Sequence, residues 1–221
     1  MAIHLQREIG ELKKQILALG ALVEDNFYRA FRSMEERDRD LAREAMQGDT
    51  AIDQMEVDIE ENCLKVLALY QPVAGDLRLI IAILKINNDL ERIGDLAVNI
   101  AERAKFLATR EKIEAPLDFM RMAEVTKQML KKSLDALVNE NAQLAHEVCG
   151  MDDEVDAINR EMYAVIQDGI RAQPERMESY IHLLSVSRHL ERIADSATNI
   201  AEDVIYMIEG TIVRHRLEDY C

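Results

Sequence analysis

The sequence predicts an all-α protein, built as two tandem three-helix bundles related by a pseudo-twofold internal repeat. Three observations predict it. Helix breakers are scarce, with eight Gly and three Pro in 221 residues. Apolar residues recur at steps of three and four through long segments, which is the signature of packed helices. The run LERIGDLAVNIAE at 90–102 returns as LERIADSATNIAE at 190–202, differing only at 94/194, 96/196 and 98/198. Self-similarity of that kind marks a duplicated structural unit.

The elements follow in order. Proline breaks helix interiors but is tolerated in a first turn, so Pro72, Pro116 and Pro174 mark junctions. The periodic stretches between them predict helices over 3–37, 39–70, 73–110, 117–139, 142–171 and 175–209. The linker around Lys112 to Pro116 separates a first bundle, residues 1–111, from a second, residues 117–221. Third helices match at an offset of 100. Earlier in each copy the offset is 103: Asp49 matches Asp152, and Asp53 matches Asp156. The second copy is therefore about three residues shorter at the turn before its third helix. The first copy spells that turn QPVAGDLR (Gln71 to Arg78), and the second shortens it around Gln173-Pro174.

Each third helix carries a heptad-like seam. Ile83, Ile86, Leu90, Ile93, Ala97, Ile100, Ala104 and Leu107 form one, and Leu183, Val186, Leu190, Ile193, Ala197, Ile200, Val204 and Met207 form its copy. Such a stripe predicts close, coiled-coil-like packing. The second helix has a parallel stripe at Ile52, Met55, Ile59, Val66 and Leu69, interrupted by Asn62.

Composition narrows the function classes. The net charge is −15, which repels nucleic-acid phosphates and anionic lipid. No nucleic-acid partner is expected. Nor is direct membrane insertion, since no run of about 18 apolar residues exists. The N-terminus does not read as a signal peptide. Cys63, Cys149 and Cys221 are odd in number and widely spaced, so neither a disulfide framework nor a thiolate zinc site is indicated. A cytoplasmic protein is expected. The five histidines form no spacing pattern. No Gly-rich phosphate loop and no nucleophile elbow occur.

The acidic residues are patterned. Asp49/Asp53, Glu91/Asp95, Asp152/Asp156 and Glu191/Asp195 share one form, an acid followed four residues later by Asp. That spacing puts both carboxylates on one helix face. On the third helices the rows run Glu91, Asp95, Asn99, Glu102 and Glu191, Asp195, Asn199, Glu202. On the second helix the row is Asp49, Asp53, Glu56 and Glu60. Its copy is thinner, with Asn159 and Tyr163 at the last two places. Like charges four apart repel by a few tenths of a kcal/mol per pair. A bound cation would offset that, and oxygen ligands suit Mg, Mn, Ca or iron. The same rows also fit a solvated outer face. At about 100° per residue the third-helix acids lie nearly opposite the seam, and the second-helix acids lie on a flank. Spacing leaves both readings open. A metal site of this kind would be a surface groove, and the Glu-x-x-His element of buried di-metal bundles is absent.

QPVAGDLR, then LKINNDLERIGDLAVNIAE (Leu84 to Glu102), then HLERIADSATNIAE (His189 to Glu202) resemble the PhoU family over essentially the whole chain. The resemblance implies two three-helix bundles and a non-enzymatic accessory protein that negatively regulates phosphate uptake and phosphate-starvation signalling. It implies a homodimer that links the ATPase of a phosphate-specific transporter to a sensor histidine kinase. It also implies multinuclear iron or zinc on the outer surface, held by E(D)xxxD motifs. Here these are Asp49/Asp53 and Glu91/Asp95 in one half, and Asp152/Asp156 and Glu191/Asp195 in the other. Asn159 in place of Glu56, and Arg188-His189 in place of Asn88-Asp89, leave the second site with fewer negative ligands. The alternatives are a metal-dependent enzyme and a metal-free helical adaptor.

Overall fold

A computed structural model describes residues 2–213. The described residues form six α-helices: α1 (Ala2–Glu35), α2 (Arg39–Tyr70), α3 (Ala74–Leu107), α4 (Phe119–Asn139), α5 (Ala142–Ala172) and α6 (Met177–Glu209). A single 3-10 turn, Pro174–Arg176, leads into α6. No strand occurs among the described residues.

The breaks between helices have local causes. Asp38 caps α2 by accepting hydrogen bonds from the backbone N–H groups of Asp40 and Leu41. Asp118 does the same for α4 through Arg121, and Asn141 for α5 through Leu144. Each satisfies donors that a helix start leaves orphaned. Pro72 and Pro174 lie at the expected junctions, and Pro116 lies in the non-helical linker. Gln71 and Ala74 flank Pro72 with φ of 47° and 49°, so the QPVAGDLR turn is held in the left-handed region by non-glycine residues.

In each half the three helices pack on one another. The halves are joined chiefly through α3 and α6, with a lighter contact between α1 and α4. The predicted seams are the centre of the core: Ile83, Ile86, Leu90, Ile93, Ala97 and Ile100 are fully buried, as are Val186, Leu190, Ile193, Ala197, Ile200 and Val204. One expectation needs correction. Leu69 does not extend the α2 stripe; it is 73% exposed, and Cys63 fills the stripe where Asn62 was read as an interruption. One apolar cluster runs from α1 through α3 and α6 to α5. Cys63 and Cys149 are buried free thiols, and burial pushes the Cys63 thiol up to about 12. Cys221 and His215 lie outside the described residues.

Side-chain pairs fix how α3 meets α6. Lys85 pairs with Asp203 at 2.9 Å, the Asn199 amide donates to Asp89 at 3.3 Å, Phe106 stacks on His182, and Arg110 pairs with Glu178 at 2.9 Å. As one number rises the other falls, so the helices run antiparallel. The crossing falls near Gly94 and Ala194, the matched positions of the repeat. The pseudo-twofold axis of the sequence therefore passes through the α3/α6 contact.

Candidate functional site: two acidic grooves

Glu91 and Asp95 lie one turn apart on α3, and Asp49 and Asp53 one turn apart on α2. Tertiary packing interleaves them. The Asn87 amide donates to the Glu56 carbonyl at 2.9 Å and to its carboxylate at 3.1 Å, which sets the register of α2 on α3. Further along, Gly94 has no side chain, and the Asp49 carboxylate comes within 3.2 Å of where a Cβ would stand. Asp49 and Glu91 both feel the charges of Asp53 and Asp95. The first cluster thus holds Asp49, Asp53, Glu56, Glu91 and Asp95, with Glu60 one turn beyond Glu56.

The electrostatics of this cluster are uniformly repulsive. Asp49 is pushed up to about 6, first by burial and then by Asp53 and Asp95. Glu91 is raised by burial and by four neighbouring carboxylates, and no cation offsets it. Glu56 is raised by burial, Glu60 and Asp53. The Asp49 Oδ1 atom is buried and accepts no hydrogen bond. A buried acceptor left unpaired costs roughly 1–3 kcal/mol.

The second cluster has the same backbone plan and different company. Asp152 is also pushed up to about 6, by burial, Asp195 and Asp156, but Thr198 donates to it at 3.4 Å and pulls the other way. Asp156 pairs with Arg160 at 3.4 Å. Glu191 and Asp195 are raised by burial and by their acidic neighbours, against the pull of Arg188 and Arg192 on Glu191 and of Arg92 and Arg192 on Asp195. Arg92 belongs to α3, so the first half lends the second a counter-charge. Asn159, which replaces Glu56, accepts a 2.5 Å hydrogen bond from Ser187.

The first-half acids lie on the outside where α2 packs beside α3: Asp53, Glu60 and Asp95 are exposed, and Asp49, Glu56 and Glu91 are half-buried. The rows also do not stay together. Asn99 donates to the Asp95 carbonyl, and Glu102 is exposed beside Arg103 at 3.7 Å. Asn199 turns to Asp89 across the repeat interface. Glu202 is buried, and lines a cavity of about 280 Å³ with Lys85, Asp203 and Tyr206. Residues missed from sequence are Asn87, Arg160 and Thr198. Their signal was available in the repeat: Arg160 stands where the first copy has Val57, and Thr198 where it has Val98.

Among the described residues no group of three or more His, Cys, Asp or Glu side chains is placed to hold a metal ion. The donor atoms of the first groove are of the hard, oxygen type. Its atoms are carboxylate oxygens, one of them buried and unpaired, and the site lacks any built-in positive charge.

The PhoU domain family model matches residues 16–104 and 119–204, one match in each half. A phosphate-specific transport system accessory protein PhoU homolog from Aquifex aeolicus is 40% identical over 97% of this chain and 97% of its own length. A homolog of the same name from Pseudomonas aeruginosa is 37% identical over 94% of this chain and 86% of its own. The crystal structure of PhoU from Pseudomonas aeruginosa superposes with a TM-score of 0.90 at 35% identity, covering 93% of this chain and 99% of that one. The phosphate transport system regulatory protein PhoU from Streptococcus pneumoniae gives 0.85 at 29% identity, over 95% and 99%.

Proposed function

The chain belongs to the PhoU family, and we propose that it is the accessory protein of a phosphate-specific transport system, acting as a negative regulator of phosphate uptake and phosphate-starvation signalling. The observation that carries this reading is the agreement of both repeats, over nearly the full length, with proteins that bear that name.

The proposal extends to partners and place. The protein works as a cytoplasmic homodimer between the transporter's ATPase and a sensor histidine kinase. Its surface suits that role: it is strongly acidic, and no helix among the described residues is long and apolar enough to cross a membrane. It acts by binding and not by catalysis. The described grooves hold carboxylates without the nucleophile–base pair that covalent chemistry requires.

The proposal also includes a multinuclear metal, iron or zinc by family resemblance, with Mg or Mn as other hard-ligand candidates. Asp49, Asp53, Glu56, Glu91 and Asp95 would hold it. Bound there, a cation supplies the positive charge that the α2/α3 groove lacks and fixes the two helices to each other.

Deleting the gene in its host is the direct test. Phosphate-starvation genes are expected to become active in phosphate-replete medium. Unchanged expression would sink the regulatory reading.

A further inference from the structure

Most arginines of this acidic chain are engaged. Arg29, Arg32, Arg110, Arg121 and Arg176 pair with carboxylates, and Arg37 and Arg78 donate to backbone carbonyls. Arg92, Arg188 and Arg192 form no hydrogen bond and no ion pair among the described residues, and elsewhere among those residues only Arg39 shares that condition. All three are exposed, on the face that α3 and α6 share. In a protein of net charge −15 a guanidinium has many carboxylates to meet. Three that gather without one leave a local excess of positive charge.

The antiparallel register of α3 on α6 decides what they surround. Asn199 opposite Asp89, and His182 against Phe106, put His189 opposite Asn99 and Ser185 opposite Arg103. Arg188 and Arg192 lie one turn apart on α6, beside His189, in spite of their mutual repulsion. Arg103 approaches from α3, and the charges of Arg103, Arg192 and Arg188 all bear on the His189 ring. That ring is half-buried, and its Nδ1 atom is buried without a hydrogen-bond partner. Burial and those three charges push it down to about 4. At pH 7 it is therefore neutral and keeps one N–H to donate. Of the nearby acids, Glu191 and Asp195 belong to the groove with Asp156 of α5, and Glu102 lies 3.7 Å from Arg103. The twofold-related end has no such cluster: Asn88, Asp89 and Asp203 stand where Arg188, His189 and Arg103 stand here.

A guanidinium presents N–H donors in one plane, which match two oxygens of a tetrahedral oxyanion. Three of them around an imidazole N–H can neutralise and bind a doubly charged ion. We infer that Arg103, Arg188, Arg192 and His189 form an oxyanion site at the α3/α6 contact, and that its ligand is free inorganic phosphate. The choice of phosphate rests on the regulatory reading above and deepens it, since the site gives the regulator a direct measure of phosphate. The site itself is independent of the metal reading.

The test uses the full-length chain with EDTA in the buffer, so that no metal carries the anion. Inorganic phosphate is titrated in, with binding followed by calorimetry and phosphorus NMR. Binding at millimolar phosphate or below is expected, with an affinity that falls as KCl rises. Arg188→Asn, which copies the first repeat at that place, combined with Arg192→Gln should weaken binding by about tenfold or more. Arg39→Gln, at the start of α2, should leave it unchanged within about twofold.

No phosphate bound by the unaltered chain overturns the inference. So does an equal loss in Arg39→Gln, which would show attraction to any exposed arginine, or full binding by the Arg188 and Arg192 double variant while its circular dichroism stays native. Phosphoserine bound more tightly than the free ion overturns free phosphate as the ligand. None of these outcomes touches the regulatory reading, which the gene deletion decides separately.

Discussion

Val66 and Ile80 in the first half occupy the positions of Gly169 and Tyr180 in the second. Val66 and Ile80 are buried in the core, and Gly169 lies against the Tyr180 ring. The first pair splits its volume evenly, whereas the second gives nearly all of it to the tyrosine ring, which is 4% exposed. The grooves differ in another way: the first half gathers carboxylates, and the second mixes them with arginine and hydroxyl groups. The lesson concerns tolerance. A close-packed interior accepts exchanges that conserve summed volume. A half-open polar groove accepts changes of charge, because solvent screens each one to a few tenths of a kcal/mol.

The core half of that comparison breaks most visibly at Gly169. A Cβ there would lie 2.4 Å from the Tyr180 ring. Gly169→Val should cost about 3 kcal/mol, as overpacking does, read as a lower urea midpoint. Adding Tyr180→Ile should recover most of it, since the pair then copies Val66 and Ile80. A double variant as unstable as the single one would mean that the two halves do not exchange volume in this way.

The repeat interface gives the next largest effect. At one end Lys85 meets Asp203, whose side chain is 2% exposed. At the twofold-related end these positions are Ser185 and Arg103, and Arg103 pairs only loosely, at 3.7 Å, with exposed Glu102. Lys85→Met should cost about 2 kcal/mol, as loss of a charged hydrogen bond to a buried group does. Arg103→Met should cost less than about 0.5 kcal/mol. Equal losses by denaturant titration would show that the two ends are energetically alike.

The smallest effect is a divergence in pH dependence. Asp49 is raised by burial to about 6, so its folded form holds a proton more tightly than the unfolded chain does. Its contribution to stability is present below the unfolded value near 4 and is lost as pH rises through 6. His189 of the second half is lowered by burial, and by Arg103, Arg192 and Arg188, to about 4. Its contribution is present above 6.5 and is lost as pH falls toward 4. In metal-free protein, Asp49→Asn should raise the melting temperature at pH 7 and flatten the gain on acidification. His189→Asn should remove a loss over the same acid range. Melting curves between pH 4 and 7.5 that shift alike for both variants would refute this opposition.

Much of the molecule was legible because its information is local. The six helices, the junctions at Pro72, Pro116 and Pro174, and the two seams follow from spacing and from the few residues that stop a helix. Leu69 misled because its spacing fits the stripe, yet α2 ends one residue later, beyond the reach of its partners. The acidic pairs were legible as pairs. Their destination was not, because i and i+4 fix a common face without fixing what that face meets.

The sequence by itself determined an all-helical chain, its duplication, the seam in each half and the four acid pairs. Helical period and chain symmetry are properties of neighbours along the backbone, and composition makes any other fold costly. Tertiary structure decided the rotation of each helix about its axis and the antiparallel meeting of α3 with α6. Those two choices placed Asp49 against Gly94, Asn199 beside Asp89 and Arg92 near Asp195. Their physical cause is the burial of three faces of α3 at once, which depends on residues far apart in the chain.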